Sequence, residues 1–159
     1  MSTGDQQLAL PDHGVKTKQD AAGAFLFDPL RRRWVAATPE EWVRQHFLNH
    51  LVLDLGYPPG RVAVEHALKL NGRDQRADAL IFDVHGRPLV LVECKAPQVP
   101  ITQRTFDQAG RYNSVFKVPY LMVTNGMRHF CCRLDLDTGA VDFLSRLPRY
   151  TEVAPPGTL

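Results

Sequence analysis

Several features that would restrict the class of this protein are scarce or missing in its sequence. No run approaches the roughly 18 uncharged apolar residues of a membrane-spanning helix, and the first residues lack a basic-then-apolar leader pattern. The cysteines, Cys94, Cys131 and Cys132, are odd in number and two are adjacent, so they predict reduced thiols that pack as small apolar side chains. These absences predict a cytoplasmic protein that does not associate with membranes.

A strong excess of charge of one sign is also missing. The 19 Lys and Arg residues exceed the 17 Asp and Glu residues by only 2, so a polyanionic partner has to be argued from local clusters of charge. Apolar residues at 44% and charged residues at 23% are typical of a globular protein, and 159 residues fit one domain. Residues 24–150 are predicted to form this domain, between flexible tails at 1–23 and 151–159.

Hydrophobic periodicity and turn signals predict the order of the elements. A capping residue and an N1 proline start a helix from Pro39 to about Leu55, and a second helix follows Thr102 and reaches about Val115. Strands are predicted at 62–70, 77–84, 89–95, 120–124, 127–134 and 141–144, after a short N-terminal hairpin at 24–27 and 34–37. The expected class is α/β, with a mixed central sheet flanked by helices in the order αβββαβ.

Two carboxylates and one amine fall on adjoining predicted strands. Asp78 and Glu93 lie on the two strands of an antiparallel hairpin, which brings them to one end of the sheet. Side chains alternate along a strand, so Glu93 and Lys95 share one face and leave the Cys94 carbonyl near the acids. These oxygen ligands suit Mg²⁺ or Mn²⁺, and Lys95 could orient water or balance negative charge. The alternative is a surface ion pair between Glu93 and Lys95 at a sheet edge.

The residues around these three resemble a known family. Arg76-Ala77-Asp78 followed by Leu91-Val92-Glu93-Cys94-Lys95-Ala96-Pro97 is similar to the D…ExK signature of the N-terminal nuclease domain of type I restriction enzyme R subunits, within the PD-(D/E)XK superfamily. The segment from Thr105 to Tyr112 resembles the Q-x-x-x-Y element of the RecB-like branch, and Pro39 to Arg44 resembles the first helix of the family. The resemblance spans about Thr38 to Cys132.

The resemblance implies a restriction-endonuclease-like core and Mg²⁺-dependent cleavage of DNA. It implies metal ligands at Asp78 and Glu93 and a catalytic cation at Lys95. The chain contains no G-x-x-x-x-G-K-[ST] phosphate loop, so any translocation would require other restriction or motor subunits. A non-cleaving nucleic-acid-binding or assembly module is the alternative, and a homodimer is left open.

Other residues have weaker patterns with two interpretations each. Gln108 and Tyr112 share a helix face and could contact DNA phosphate or fix the active-site strands, or Tyr112 could simply belong to the core. Glu41 could complete a capping box with Thr38 or act in the outer shell of the metal. Basic side chains that could follow a phosphate backbone, or lie on a solvated face, are Arg73, Arg76, Arg104 and Arg111. His46 and His50 are spaced one helical turn apart but belong to no standard zinc motif.

Overall fold

The computed structural model describes residues 6–155 and contains nine strands and three α-helices in that range. The elements are β1 (Thr17–Asp20), β2 (Gly23–Asp28), β3 (Arg33–Ala36), α1 (Pro39–Asn49), β4 (Val62–Leu70), β5 (Arg73–Phe82), β6 (Pro88–Cys94), α2 (Gln103–Phe116), β7 (Tyr120–Thr124), β8 (His129–Leu134), β9 (Val141–Phe143) and α3 (Tyr150–Val153). Within residues 6–155, no helix has the length and apolar character needed to cross a membrane.

The central sheet has six strands in the order β4-β5-β6-β7-β8-β9. All neighbours pair antiparallel except β6 and β7, which are parallel and are connected by the crossover helix α2. Both predicted hairpins, β5–β6 and β7–β8, are formed. The predicted order αβββαβ and the mixed sheet are confirmed.

Each face of the central sheet is covered by a different helix. One face packs apolar side chains of β5, β6 and β7 against α1 and α3, and this core includes Val43, Phe47, Ile81, Val92 and Met122. The other face packs against α2, through residues that include Leu80, Leu91, Ala109, Leu121 and Val123. Strands β6 and β7 are therefore buried on both sides, which explains their continuous apolar sequences. The three cysteines are free and buried in these cores, as predicted.

Helix α1 begins at the predicted residue. The Thr38 hydroxyl accepts a hydrogen bond from the Glu41 N–H at 3.1 Å, and Pro39 occupies the first helical position. A π-helical segment, His50–Asp54, continues the helix, so the helical path ends close to Leu55 as expected. The return bond of a capping box is not formed, because the Thr38 N–H donates to the Ala36 carbonyl. That part of the prediction for Glu41 was wrong.

The N-terminal segment is more structured than the sequence predicted. Strand β1 pairs with β2, and β2 with β3, in a separate antiparallel sheet. Leu8 is only 7% exposed, and the Ala9 N–H donates to the Gly126 carbonyl at 2.8 Å. Gly126 has a φ of +84°, and a Cβ there would lie 2.9 Å from the Leu8 side chain. Residues 6–23 of the predicted tail 1–23 therefore belong to the folded domain, and residues 1–5 lie outside the described range.

The C-terminal boundary also needs correction. The predicted tail 151–159 includes most of α3, whose Val153 is buried, and the next residue, Ala154, is buried as well. Tyr150 is 3% exposed and its N–H donates to the Leu55 carbonyl at 3.0 Å, which fixes α3 against the end of the first helix. The short helix fills the core under α1, a contact distant in sequence that local patterns did not predict.

Candidate active site

Asp78 and Glu93 meet at the centre of the sheet. The register pairs Ala79 with Val92, so the next opposed positions on β5 and β6 are Asp78 and Glu93. The Cys94 N–H donates to Asp78 Oδ2 at 2.8 Å, which fixes the Asp78 carboxylate against the main chain of β6. Strand β6 lies between β5 and β7 and Glu93 is only 4% exposed. The alternative of a surface ion pair at a sheet edge was therefore wrong.

Burial and mutual repulsion keep a proton on this pair of carboxyl groups. Burial, followed by the charge of Asp78, raises the pKa of Glu93 to about 9, although Lys95 opposes this shift. Burial also raises the pKa of Asp78, against the opposing effects of the Cys94 N–H and the Arg44 guanidinium. Both pKa values are raised because the two acids lie side by side in one small, poorly hydrated region, where ionisation of both is unfavourable. We assign the retained proton to Glu93, which is the more buried residue.

Lys95 lies on the α2 side of the sheet, opposite to the Cys94 side chain. Its Nζ donates to Gln108 Oε1 at 3.1 Å. Gln108 Nε2 in turn contacts the Tyr112 hydroxyl at 3.5 Å, and that hydroxyl donates to Gln75 Oε1 at 3.4 Å. Gln108 and Tyr112 thus connect α2 to β5 and to the amine. Gln75 was missed by sequence analysis, because no local pattern distinguishes it from other polar strand residues.

Arg44 is the second residue that sequence analysis missed. It projects from α1, is 7% exposed, and places Nη2 3.4 Å from Asp78 Oδ1. Its other nitrogens lie 3.7 Å from Glu41 Oε2 and 3.3 Å from Glu65 Oε1. Burial opposes the charge, but these carboxylates raise the pKa of Arg44 above its ordinary value. A polar residue facing the core of an otherwise amphipathic helix is the only sequence signal that could have identified it.

Glu41 belongs to an ion-pair network rather than to the acid pair itself. Its Oε1 accepts from Arg31 Nη2 at 2.6 Å, and its Oε2 accepts from Gln45 Nε2 at 3.1 Å. Arg31, on the loop between β2 and β3, also pairs with Asp28 and contacts Glu65 at 3.0 Å. Arg44 lies between Glu41 and Asp78 and contacts both acids.

The four predicted nucleic-acid-binding arginines are all exposed, but they do not converge on the acid pair as a set. The Arg76 side chain is 70% exposed and lies 3.7 Å from Glu65 Oε2. Arg73 is at the start of β5, and Arg111 lines a shallow surface groove between α2 and β8–β9 together with Phe106. Arg104 is in the first turn of α2. Of the four arginines, Arg76 is therefore the one that contacts Glu65, an acid that also contacts Arg44 beside the acid pair.

The acid pair fits a divalent cation in one respect and leaves part of the ligand shell open. Glu93 Oε1 is buried and has no hydrogen-bond partner, an arrangement that is costly unless another group or ion satisfies the oxygen. Within the described range, no group of three or more His, Cys, Asp or Glu side chains is arranged to hold a metal ion. Asp78 and Glu93 would thus need a main-chain oxygen, such as the Cys94 carbonyl, together with water or substrate oxygens.

Comparison with known proteins gave a structural match and a family match. A solved fragment of a protein described as an HsdR subunit of a type I restriction enzyme from Vibrio vulnificus YJ016 superposes with a TM-score of 0.54 at 22% identity. The match covers 72% of this chain and 24% of that one, so this chain spans about a quarter of its length, and the likeness supports the predicted restriction-endonuclease-like fold. No curated protein matches. The family model for the type I restriction enzyme R protein N terminus matches residues 39–148, and the chain belongs to that family.

Proposed function

We propose that this chain is a Mg²⁺- or Mn²⁺-dependent DNA endonuclease that hydrolyses phosphodiester bonds. The observation that carries the proposal is the buried Glu93 carboxyl, with an unpartnered oxygen, which lies next to Asp78 on the neighbouring strand and interacts with its charge. Burying two acids side by side is unfavourable, and a fold retains such a pair most readily where it serves a function. Membership of a restriction-enzyme family supports the same assignment.

Three groups of this chain would hold the divalent ion: the carboxylates of Asp78 and Glu93 and the Cys94 carbonyl. When bound, such an ion activates water and neutralises charge on the scissile phosphate. The Cys94 N–H fixes the orientation of the Asp78 carboxylate, and pairing of β6 with β7 fixes the backbone position of Glu93. Glu93 must lose its proton before it can act as a ligand.

Lys95 provides the positive charge on the same face. Its hydrogen bond to Gln108 limits the motion of a long, flexible side chain and keeps Nζ near the acid pair. From there it can orient the attacking water and stabilise the extra negative charge on the phosphate in the transition state. Gln108 and Tyr112 act as positioning residues for Lys95, and the outward arginines contribute attraction for the phosphate backbone.

A closed circular plasmid provides the direct test. Incubation with Mg²⁺ or Mn²⁺ is expected to give nicked and linear products, which only an endonuclease can form from a substrate without ends. Lys95→Ala should reduce the rate about a hundredfold or more, because it removes transition-state stabilisation. Lys69→Ala is the matched control, since that lysine is 75% exposed and pairs with the exposed Asp74. Cutting that persists unchanged in Lys95→Ala rejects the assignment.

A non-cleaving binding or assembly module is the second candidate, and one observation favours it. Both oxygens of Asp78 already have protein partners, the Cys94 N–H and Arg44, so the carboxylate is satisfied without a metal ion. In that case DNA binding would be unaffected by EDTA, and no plasmid would be cut at any Mg²⁺ or Mn²⁺ concentration. We further propose that the chain acts with other restriction or motor subunits.

A further inference from the structure

We propose that the outer face of the three-stranded sheet β1–β3 binds a single-stranded nucleic acid by stacking its bases on aromatic side chains. We call this face the N-terminal platform and define it by Lys16, Lys18, Phe25, Phe27 and Trp34. The choice of a nucleic acid as ligand rests on the proposed nuclease function. The platform lies on a different sheet from Asp78 and Glu93, and no residue of the acid pair contributes to it.

Strand register places the platform residues on one face. Lys18 is opposite Phe25, and Phe27 is opposite Trp34, so each pair points to the same side of the sheet. The Phe27 N–H donates to the Lys16 carbonyl at 2.9 Å, which extends the pairing to Lys16. Lys18 and Phe25 thus lie side by side across the sheet, and so do Lys16, Phe27 and Trp34. Each of these two rows contains one lysine and at least one aromatic ring.

The two faces of β2 differ sharply in burial. Leu26 and Asp28 point inward and are fully buried, whereas Phe25 and Phe27, which alternate with them, remain partly exposed. Trp34 is 39% exposed and its ring packs edge-on against Phe27, with centroids 5.4 Å apart. Three neighbouring aromatic rings that stay open to solvent are an unusual surface, and stacking on unpaired bases is one of the few uses that suits them.

The two lysines of the platform complement a phosphate backbone, and one carboxylate, Asp20, lies on the same face with Oδ2 3.8 Å from Lys18 Nζ. Lys18 Nζ lies over the Trp34 ring at 4.8 Å and over the Phe25 ring at 5.4 Å, and Lys16 Nζ lies over Phe27 at 5.9 Å. An exposed cation–π contact is weaker than the stacking of a base on the same ring. A base can therefore displace each ammonium from its ring, and the released lysine can pair with the adjacent phosphate. This combination of stacking and charge favours a nucleic acid over an apolar protein partner.

The platform is connected to the acid pair through a continuous chain of ion pairs. Arg31, in the loop that joins the two aromatic strands, contacts Glu41 and Glu65. Both of these acids contact Arg44, which lies 3.4 Å from Asp78. A strand held on the platform would thus be bound to the same folded unit that contains the proposed cleavage site.

Fluorescence anisotropy of a labelled oligothymidine about 15 nucleotides long tests the platform. Titrations in EDTA, with the full chain carrying Lys95→Ala, exclude cleavage. We expect Trp34→Ala to weaken binding about tenfold, because it removes one stacking surface. Phe143→Ala should leave binding unchanged, since Phe143 is 59% exposed but lies on β9 of the other sheet. An abasic strand of the same length should bind to the unaltered platform at least as weakly as the thymidine strand binds to Trp34→Ala, because it loses stacking on all three rings.

The lysines are tested by the salt dependence of the same titration. Lys16→Gln and Lys18→Gln should each reduce the slope of log Kd against log salt by about 0.7, the value for one phosphate contact on a single strand. Lys69→Gln, an exposed lysine on β4, should not change the slope. Oligouridine and duplex DNA arms distinguish RNA and paired DNA from single-stranded DNA, and a vesicle of phosphatidylcholine with phosphatidylserine tests a membrane surface.

The outcomes separate this proposal from the proposed nuclease. Equal affinity for abasic and thymidine strands, or no effect of Trp34→Ala, overturns the platform even if plasmid is cut. Vesicle binding that is lost in Trp34→Ala, without oligonucleotide binding, also overturns it. Absence of cleavage together with Trp34-dependent strand binding rejects the nuclease and retains the platform, because the EDTA titration needs no metal ion. Circular dichroism of each variant verifies that the fold is intact.

Discussion

The molecule contains two buried clusters of charge that differ in how well their charges are balanced. In the Arg31 network, Arg31 pairs with Asp28 and Glu41, and the neighbouring Glu65 is shared with Arg44. In the acid pair, Asp78 and Glu93 face each other, and the nearest cations are Arg44 and Lys95. In the first cluster each of the three carboxylates therefore contacts an arginine, whereas in the second Glu93 has no such contact within the described residues and keeps one buried oxygen without a partner.

The pKa shifts show the same difference. Burial disfavours ionisation of Glu65, but Arg44 and Arg31 outweigh it and lower the pKa of this acid. For Glu93, burial and the Asp78 charge act together and raise the pKa to about 9. A balanced cluster fixes elements to one another, here the N-terminal sheet to α1 and β4. An unbalanced pair is a liability in the isolated chain that a cation could relieve, which is why we assign the chemistry to it.

The largest effect is expected from breaking the balanced cluster. Arg31→Met would leave the fully buried Asp28 and the buried Glu41 without their main cation, and it should reduce the free energy of unfolding by about 3–5 kcal/mol. Urea denaturation followed by circular dichroism measures this. Arg33→Met, at an exposed position of β3, is the control and should change stability by about 0.5 kcal/mol or less. Equal effects of the two substitutions would show that the network does not stabilise the fold.

The acid pair should make stability depend on pH in the opposite sense to a paired carboxylate. Below the ordinary pKa of a glutamate, both the folded and the unfolded chain carry the Glu93 proton, so its contribution is fully present. As pH rises toward about 9, the unfolded chain has lost this proton while the folded chain still holds it, and stability falls. Glu93→Gln stays neutral and should be more stable than the natural chain by about 2–4 kcal/mol at pH 8.5.

This pH dependence is measured by urea denaturation of both chains at pH 5 and pH 8.5. The advantage of Glu93→Gln should be small at pH 5 and large at pH 8.5. Glu65→Gln is the matched comparison from the balanced cluster, where the pKa is lowered, and it should destabilise the chain at pH 8.5. A Glu93→Gln advantage that does not change with pH would mean that Glu93 is already ionised at neutral pH.

A divalent ion should stabilise the folded chain through the acid pair and not through the Arg31 network. At a Mg²⁺ or Mn²⁺ concentration ten times Kd, the gain in unfolding free energy is about 1.4 kcal/mol. The gain at a fixed ion concentration should increase from pH 6.5 to pH 8.5, because the Glu93 proton must leave before the carboxylate can bind. Thermal denaturation with and without the ion measures this, and Glu93→Gln should lose the response. An equal shift in both chains would place the ion elsewhere.

The comparison also shows which parts of the molecule the sequence could predict. The acid pair could be predicted from the sequence because it depends on local information: two strands joined by a short turn fix the register that brings Asp78 and Glu93 together. The start of α1 was accessible for the same reason, since Thr38 and Pro39 act on adjacent backbone groups. Periodicity and capping rules can predict the role of a residue when its partners are close to it in sequence.

The Arg31 network could not be predicted from the sequence, because its contacts join distant parts of the chain. Arg31 is 34 residues from Glu65 in sequence, and only the packing of two separate sheets brings them together. Glu41 was interpreted as a capping residue because that bond is local, whereas its actual partner Arg31 lies on a loop that was assigned to a simple hairpin. Leu8 was placed in a tail, since nothing in its own segment indicates contact with the turn at Gly126.

The smallest effect is expected where the acid pair is supported by neutral side chains. Tyr112→Phe removes a hydroxyl whose contacts with Gln108 and Gln75 are long, at 3.5 and 3.4 Å, so it should reduce the free energy of unfolding by about 1 kcal/mol or less. Tyr150→Phe is the matched control, because its hydroxyl donates to the Phe82 carbonyl at 3.2 Å. Both variants should lose similar stability by urea denaturation.

Only Tyr112→Phe should also slow plasmid cleavage, by about threefold in kcat without a change in KM, because the hydroxyl helps Gln108 to hold Lys95. Equal cleavage by the two variants would mean that Lys95 needs no support from α2.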